Sequence, residues 1–279
     1  MIDNDFFRTD LAVEEKERVK DSIPGIEIHE NIDKFSKINI STVLVKTSEA
    51  GVKLNKPVGT YITLSGGCLD GHTDEDVQKS AAVLGKVLKS LLPNGFKSVF
   101  VLGLGNADMT ADALGPETIK KLLVNRGMTK AKHELSALTP GVMGQTGLEA
   151  GEIVSGIIEK TRPDVMITVD ALCAMSEKRL LSTVQLCDSG IIPGSGVGNH
   201  RSELSNNTLS IPVISIGIPT VIGAYSLINS ALADIENKPD ESLLKPLYSM
   251  FVTSKDIDLY IKEKSVLLAE AIHHIIYPD

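Results

Sequence analysis

The chain has 279 residues, 42% of them hydrophobic, with 28 Lys and Arg against 36 Asp and Glu for a formal charge of -8. That length and apolar fraction support a full core, taken as one domain, and the negative balance repels phosphate backbones, which argues against direct binding to nucleic acid or an anionic membrane. Cys68, Cys173 and Cys187 form no C-x-x-C pair and leave one thiol over in any disulfide scheme, and no apolar run is long enough to span a bilayer, so a cytoplasmic, reducing location is expected.

Residues 1–40 are charged and mixed, with Pro24-Gly25 as a turn signal and no sustained apolar period, so an extended arm is expected; its acidic start is unlike a signal peptide. Thr42–Val45 and Gly59–Leu64 are rich in β-branched residues between turn formers and read as strands. Val77, Ala81, Leu84, Leu88 and Leu91 recur at helical spacing, which predicts an amphipathic helix from about Asp74 to Leu92, stopped by Pro93-Asn94-Gly95. Strand, loop and helix then alternate. Ser98–Leu102 is a strand, and Pro116 suits the first turn of a helix carrying Ile119, Leu122 and Leu123. A strand near Glu134–Leu138 precedes the loop 139–147 and a helix to about Arg162; Asp164–Val169 is the next strand, with Asp170 at its exit.

Leu181–Leu186 and Ile211–Ile216 are further strands, separated by the glycine-rich stretch Ile192–Arg201; a helix follows Gly223, residues 236–250 are irregular, and a last helix begins near Thr253 or Ser254 as cap. This alternation predicts an α/β fold of three layers, a mostly parallel sheet with helices on both faces. Asp112, before one helix, and Asp170, leaving one strand, then fall at the carboxyl edge of that sheet, where such folds place their sites.

Two carboxyl groups in a site of restricted solvent can share one proton and divide acid and base work, the basis of acid-type peptide hydrolysis. From spacing alone, Asp112 is more readily a helix cap than a catalyst, and Asp170 is evenly placed between a structural and a chemical role. Gly103-Leu104-Gly105-Asn106 suggests a dinucleotide loop, but Asp108 stands where the third glycine is required and would face a pyrophosphate with negative charge. The loop holding Gly196, with Arg201 beside it, is either a tight crossover or a wall of a peptide groove. Cys173 reads as core, because no histidine is placed to activate it. No H-E-x-x-H occurs, although His133 or His200 joining the two aspartates would make an acceptable metal set.

Four ordered motifs carry a resemblance: Leu102–Asn106 with Asp112–Pro116, Pro140–Gly144, Val169–Leu172, and Pro193–Asn199. Together they resemble the germination protease of endospore-forming bacteria, from Arg8-Thr9-Asp10-Leu11-Ala12-Val13-Glu14 to the final helix. The resemblance implies an endopeptidase that degrades small acid-soluble spore proteins in the spore core, is made as a zymogen, and assembles as a homotetramer. It implies a fold similar to the hydrogenase-maturation peptidases and two catalytic aspartates, Asp112 and Asp170. It also implies self-processing at a bond joining Asp10 to Leu11, with 1–10 as propeptide and 11–279 as a single peptidase domain. Gly105, Asn106, Gly141, Gly196 and Arg201 are expected to contact substrate, with backbone N–H groups of the 103–106 or 141–147 loops holding the oxyanion. No cofactor is expected; the alternative is a divalent metal bound by Asp112 and Asp170.

Overall fold

The computed structural model describes residues 9–19, 22–128, 132–194, 202–232 and 241–277. In chain order its elements are α1 (Ala12–Arg18), β1 (Ile26–Ile32), β2 (Asn39–Val45), α2 (Ser48–Leu54), β3 (Gly59–Ser65), α3 (Asp74–Leu91), β4 (Ser98–Gly103), α4 (Leu114–Ile119), β5 (Glu134–Leu138), α5 (Met143–Thr146), α6 (Ala150–Thr161), β6 (Val165–Ala174), β7 (Thr183–Cys187), α7 (Asn206–Leu209), β8 (Val213–Gly223), α8 (Ala224–Ala231), α9 (Glu241–Leu244), β9 (Phe251–Val252) and α10 (Ile257–Ile276). The strands form one sheet in the order β1-β2-β3-β7-β8-β6-β4-β5, with β9 paired to the end of β8.

The fold is α/β in three layers. β5, β4, β6 and β8 run parallel to one another, and β7, β3, β2 and β1 extend this group as antiparallel ladders. The parallel strands alternate two sets of side chains. Val99, Val101, Val165, Ile167, Val169, Ile214 and Ile216 form the main core with Leu84 and Leu88 of α3 and Leu268 and Ile272 of α10. The opposite face splits into two clusters. Phe100, Leu102, Met166 and Val213 pack under Val154 and Ile158 of α6, while Val43, Val45 and Tyr61 pack under Ala12 of α1 and Leu54 of α2.

The helix expected over 74–92 forms over Asp74–Leu91, opened by a capping box between Thr73 and Asp76. Three expectations fail. The charged stretch before residue 40 contains α1 and β1, because a helix without an apolar period can be fixed by tertiary contacts and an edge strand needs only one paired side; β1 is exposed at six of its seven positions. The helix at Pro116 ends at Ile119, short of Leu122 and Leu123. Asn125 explains the early stop: its side chain donates to the His133 carbonyl at 3.0 Å and accepts from the Leu135 N–H at 2.6 Å, turning the chain into β5. Finally, β6 does not end before Asp170 but runs to Ala174, paired throughout with an eleven-residue β8.

Candidate active site

On the split face, the strands change character as they pass between the two helix clusters. Met166 is followed two and four residues later by Thr168 and Asp170, Val213 by Ser215 and Gly217, and Thr183 by Gln185, each one strand period apart. Pairing sets Asp170 of β6 level with Gly217 of β8, and Gly217 level with Gln185 of β7. The row therefore reads carboxylate, gap, carboxamide, between walls of helix. A Cβ on Gly217 would lie 2.6 Å from Leu172 Cγ and 2.7 Å from the Asp170 carbonyl, so glycine is required here to let the Leu172 side chain pack over the strand between Asp170 and Gln185. The cavity above it has a volume of about 870 Å³, at the upper end of the ~300–1,000 Å³ of ligand pockets.

Asp112 and Asp170 both line this cavity. β4 ends at Gly103, paired with Val169, and the Leu104 N–H continues the ladder by donating to the Val169 carbonyl at 2.8 Å. Gly105 and Asp170 are thus the residues just beyond one shared hydrogen bond. The chain turns over Gly105, at φ +110, and returns through a short 3-10 turn, Thr110–Asp112. A Cβ on Gly105 would lie 2.0 Å from the Asp112 carbonyl oxygen and 3.1 Å from its Oδ1. Asp112 does not cap α4, whose N-cap is Ala113; its Oδ2 accepts the Asn106 N–H at 2.7 Å instead. Asp170 is buried, and its Oδ1 accepts the following Ala171 N–H at 2.9 Å.

Thr9 and Asp10 line the same cavity, and the chain runs on from them through Leu11 into α1. Asp10 donates its N–H to the Cys173 carbonyl at 2.9 Å and accepts the Cys173 N–H on Oδ2 at 2.8 Å. Its own carbonyl accepts Gln185 Nε2 at 2.8 Å and Lys56 Nζ at 3.0 Å. Leu11 is fully buried against Leu172 and Ala174, and the Ala12 N–H donates to Gln185 Oε1 at 2.7 Å. Beyond the Asp10–Leu11 bond, the buried carboxylate of Glu14 accepts the Met175 and Ser176 N–H groups at 2.7 and 2.9 Å and the Thr9 hydroxyl, with Arg179 alongside.

Among the other ionisable groups lining the cavity, burial shifts two. Burial pushes the Glu15 carboxyl up, against the pull of Arg18 and Lys56. Burial also pushes the Tyr61 phenol far up, with Cys187 adding to it, so the hydroxyl stays neutral, donating to the Pro57 carbonyl at 2.8 Å and accepting from Ser189 at 2.9 Å.

Of the residues expected to contact substrate, Gly105 and Gly141 line the cavity, while Asn106 supports Asp112 through its N–H. Gln145 ties the two loops together by donating to Asp108 at 2.7 Å. Gly196 and Arg201 lie outside the described residues, as does His200. His133 is not near the aspartates: it precedes β5, at the amino-terminal edge of the sheet, where it donates to the Phe96 carbonyl at 3.1 Å and stacks on that ring. Among the described residues no group of three or more His, Cys, Asp or Glu gathers in a metal-holding arrangement. Cys173 is buried as expected. Sequence reasoning missed Lys56, Gln185 and Gly217. For the two strand residues the signal was present, as polar or small residues at every second position of otherwise apolar strands.

The model of the family described as germination protease matches residues 7–238. A germination protease of Geobacillus sp. (strain WCH70) is 40% identical over 81% of this chain, the match spanning 66% of that relative's length. One from Caldanaerobacter subterraneus subsp. tengcongensis is 34% identical over 97% of this chain and 94% of its own. One from Bacillus subtilis (strain 168) is 39% identical over 85% of this chain and 72% of its own. Among solved structures, a NiFe hydrogenase maturation protease from Thermococcus kodakarensis KOD1 aligns with 68% of this chain and 98% of its own at 18% identity, with a TM-score of 0.38. No described helix is long and apolar enough to cross a membrane. With its model matched over most of its length, the chain belongs to the germination protease family.

Proposed function

We propose that this chain is an endopeptidase that degrades small acid-soluble spore proteins during germination, is made as a zymogen that cuts its own Asp10–Leu11 bond, and activates water between Asp112 and Asp170. The observation that carries this is that two carboxyl groups from separate βα units line one cavity whose wall also includes Asp10, the residue before the Asp10–Leu11 bond. One ionised carboxylate takes a proton from water as the oxygen adds to the scissile carbonyl carbon. The other, protonated, supplies the proton that the departing nitrogen needs. The pair titrates as a unit, and no resident cofactor enters the scheme. Self-association as a homotetramer and action in the spore core belong to the same proposal.

The test is Asp112→Asn and Asp170→Asn, singly, in the full-length chain. Asparagine keeps the shape and accepts the Asn106 or Ala171 N–H but cannot act as a base. On incubation at mildly acidic pH, intact mass should show the parent losing residues 1–10 and both variants whole at an unchanged melting temperature. Cleavage by either variant at the parent rate would refute the pair. Loss of parent cleavage in EDTA, restored by a divalent metal, would replace water activation by the bare pair with a metal held between the same aspartates.

A further inference from the structure

The Asp10 carbonyl has more donors than a chain crossing a cavity needs. It takes a neutral amide N–H from β7 and an ammonium from the turn after α2, at 2.8 and 3.0 Å. Gln185 also accepts the Ala12 N–H, so one side chain reads the peptide groups on both sides of Leu11. Among the described residues, the Leu11 N–H, the other half of the scissile bond, donates to the Thr9 hydroxyl at 3.0 Å, within its own segment. The protein thus grips the carbonyl of this bond from outside and leaves the leaving nitrogen to the peptide itself.

We infer that Lys56 and Gln185 are catalytic residues that hold the carbonyl oxygen of the bond to be cut and stabilise the oxyanion formed on it. This rests on the endopeptidase reading above, and it moves the oxyanion site from the backbone of the 103–106 or 141–147 loops to two side chains. Placement supports it. Asp10 is anchored at Cys173, three residues past Asp170 and roughly 10 Å along the strand. Its carbonyl, however, turns back to Gln185, which is level with Asp170, with Gly217 between them.

In the step itself, water adds through oxygen to the Asp10 carbonyl carbon and gives one proton to the ionised aspartate. The π pair moves onto the carbonyl oxygen, between the Lys56 ammonium and the Gln185 N–H. As that pair returns, the C–N bond breaks and its electrons, with the proton of the second aspartate, go to the Leu11 nitrogen. The products are a carboxyl group on Asp10 and an amine on Leu11, with nothing oxidised or reduced.

The experiment measures the first-order rate of self-cleavage in full-length chains carrying Lys56→Met, Gln185→Leu, Gln185→Glu or Lys56→Arg. Gln185→Glu keeps the acceptor for Ala12 and replaces only the donor, so it covers the case in which Gln185→Leu does not fold. Loss of one oxyanion donor slows turnover by about 100-fold, so the first three variants should fall by that factor while Lys56→Arg stays within tenfold of the parent. A purely anchoring role predicts the other sign: loosening the carbonyl exposes the arm to added trypsin and leaves self-cleavage equal or faster. Rates within threefold of the parent for Lys56→Met and Gln185→Glu would overturn the inference while leaving the endopeptidase reading intact. A parent that never cuts the bond would overturn both.

Discussion

Removing the Glu14 side chain is the sharpest test of how the amino-terminal segment is held. Glu14 is fully buried and serves two backbone donors, Met175 and Ser176, that leave the end of β6 with no strand beside them. In Glu14→Ala these N–H groups lose their acceptor, and each such loss costs about 1–3 kcal/mol when water cannot fully replace it. Both groups are only partly buried, so a combined cost of about 3 kcal/mol is reasonable, equivalent to a rise of about 100-fold in the open population of the arm. The Ala12 amide, bonded to Gln185 at 2.7 Å, reports that population by hydrogen exchange. Its exchange should speed up by about 100-fold in Glu14→Ala and less in Glu14→Gln, which keeps one acceptor, with β4 and β6 unchanged. Arg179 retains Glu17 at 2.6 Å and so introduces no second unpaired charge. Exchange at Ala12 within threefold of the parent would refute the anchoring role.

Glu15 gives the docked arm a pH dependence. Its carboxyl is raised by burial, so the docked state binds the proton more tightly than the free arm; docking is strongest at and below the usual glutamate value of 4.5, weakens as pH rises from there through the raised value, and then levels off. Glu15→Gln should flatten that decline in Ala12 exchange corrected for intrinsic rate, and an unchanged slope would count against it. Gly105→Ala must push Asp112 aside, because its Cβ would sit 2.0 Å from that residue's carbonyl oxygen at φ +110; self-cleavage should fall by about 100-fold with a stability loss of about 1–3 kcal/mol, and a parent-like rate would dissociate loop from aspartate. Cutting Asp10–Leu11 should speed Ala12 exchange at least about tenfold while β6 stays protected, and continued protection in the cut chain would argue that the arm remains seated.

The sequence makes the parallel half of the molecule legible because each βα unit there carries a local signal. Four apolar strand residues lead into Gly103 and Gly105, Pro116 sits inside the first turn of its helix, and Thr73 stands three residues before Asp76. Asp112 was more ambiguous, since a cap and a catalyst occupy the same place in sequence; only the Asn106 N–H, which takes its carboxylate away from the helix end, separates them. α1 was illegible for a physical reason. Its stability lies in the bonds of Glu14 to Met175 and Ser176 and of Ala12 to Gln185, partners some 160 or more residues away, and a window of neighbours contains none of them. Lys56 was hidden in the same way, as one lysine among many until folding set it against the Asp10 carbonyl.

The contacts around Asp10 and Leu11 also indicate why one cut can have a lasting effect. Before it, the Leu11 nitrogen is a neutral amide in a fully buried position beside Leu172. After it, that nitrogen is an α-amine whose usual pKa of about 7.7–8.0 makes it a cation near neutrality. Lys56, already charged, is one residue away from it through the Asp10 carbonyl. The cut also leaves an α-carboxylate on Asp10 that pairs with this amine while Thr9 and Asp10 stay seated; once they leave, a buried cation without a partner costs several kcal/mol, more than the ~2 kcal/mol that burying a leucine side chain returns. The balance therefore turns against Leu11 once Thr9 and Asp10 depart, even though Glu14 still holds the helix behind it. Thr9 and Asp10, now untethered, lose the high effective concentration that kept them on Cys173 and Gln185. Under the proposed self-processing, both halves of the seat therefore open, and the Lys56 and Gln185 donors are left facing a cavity in which another peptide can present its carbonyl.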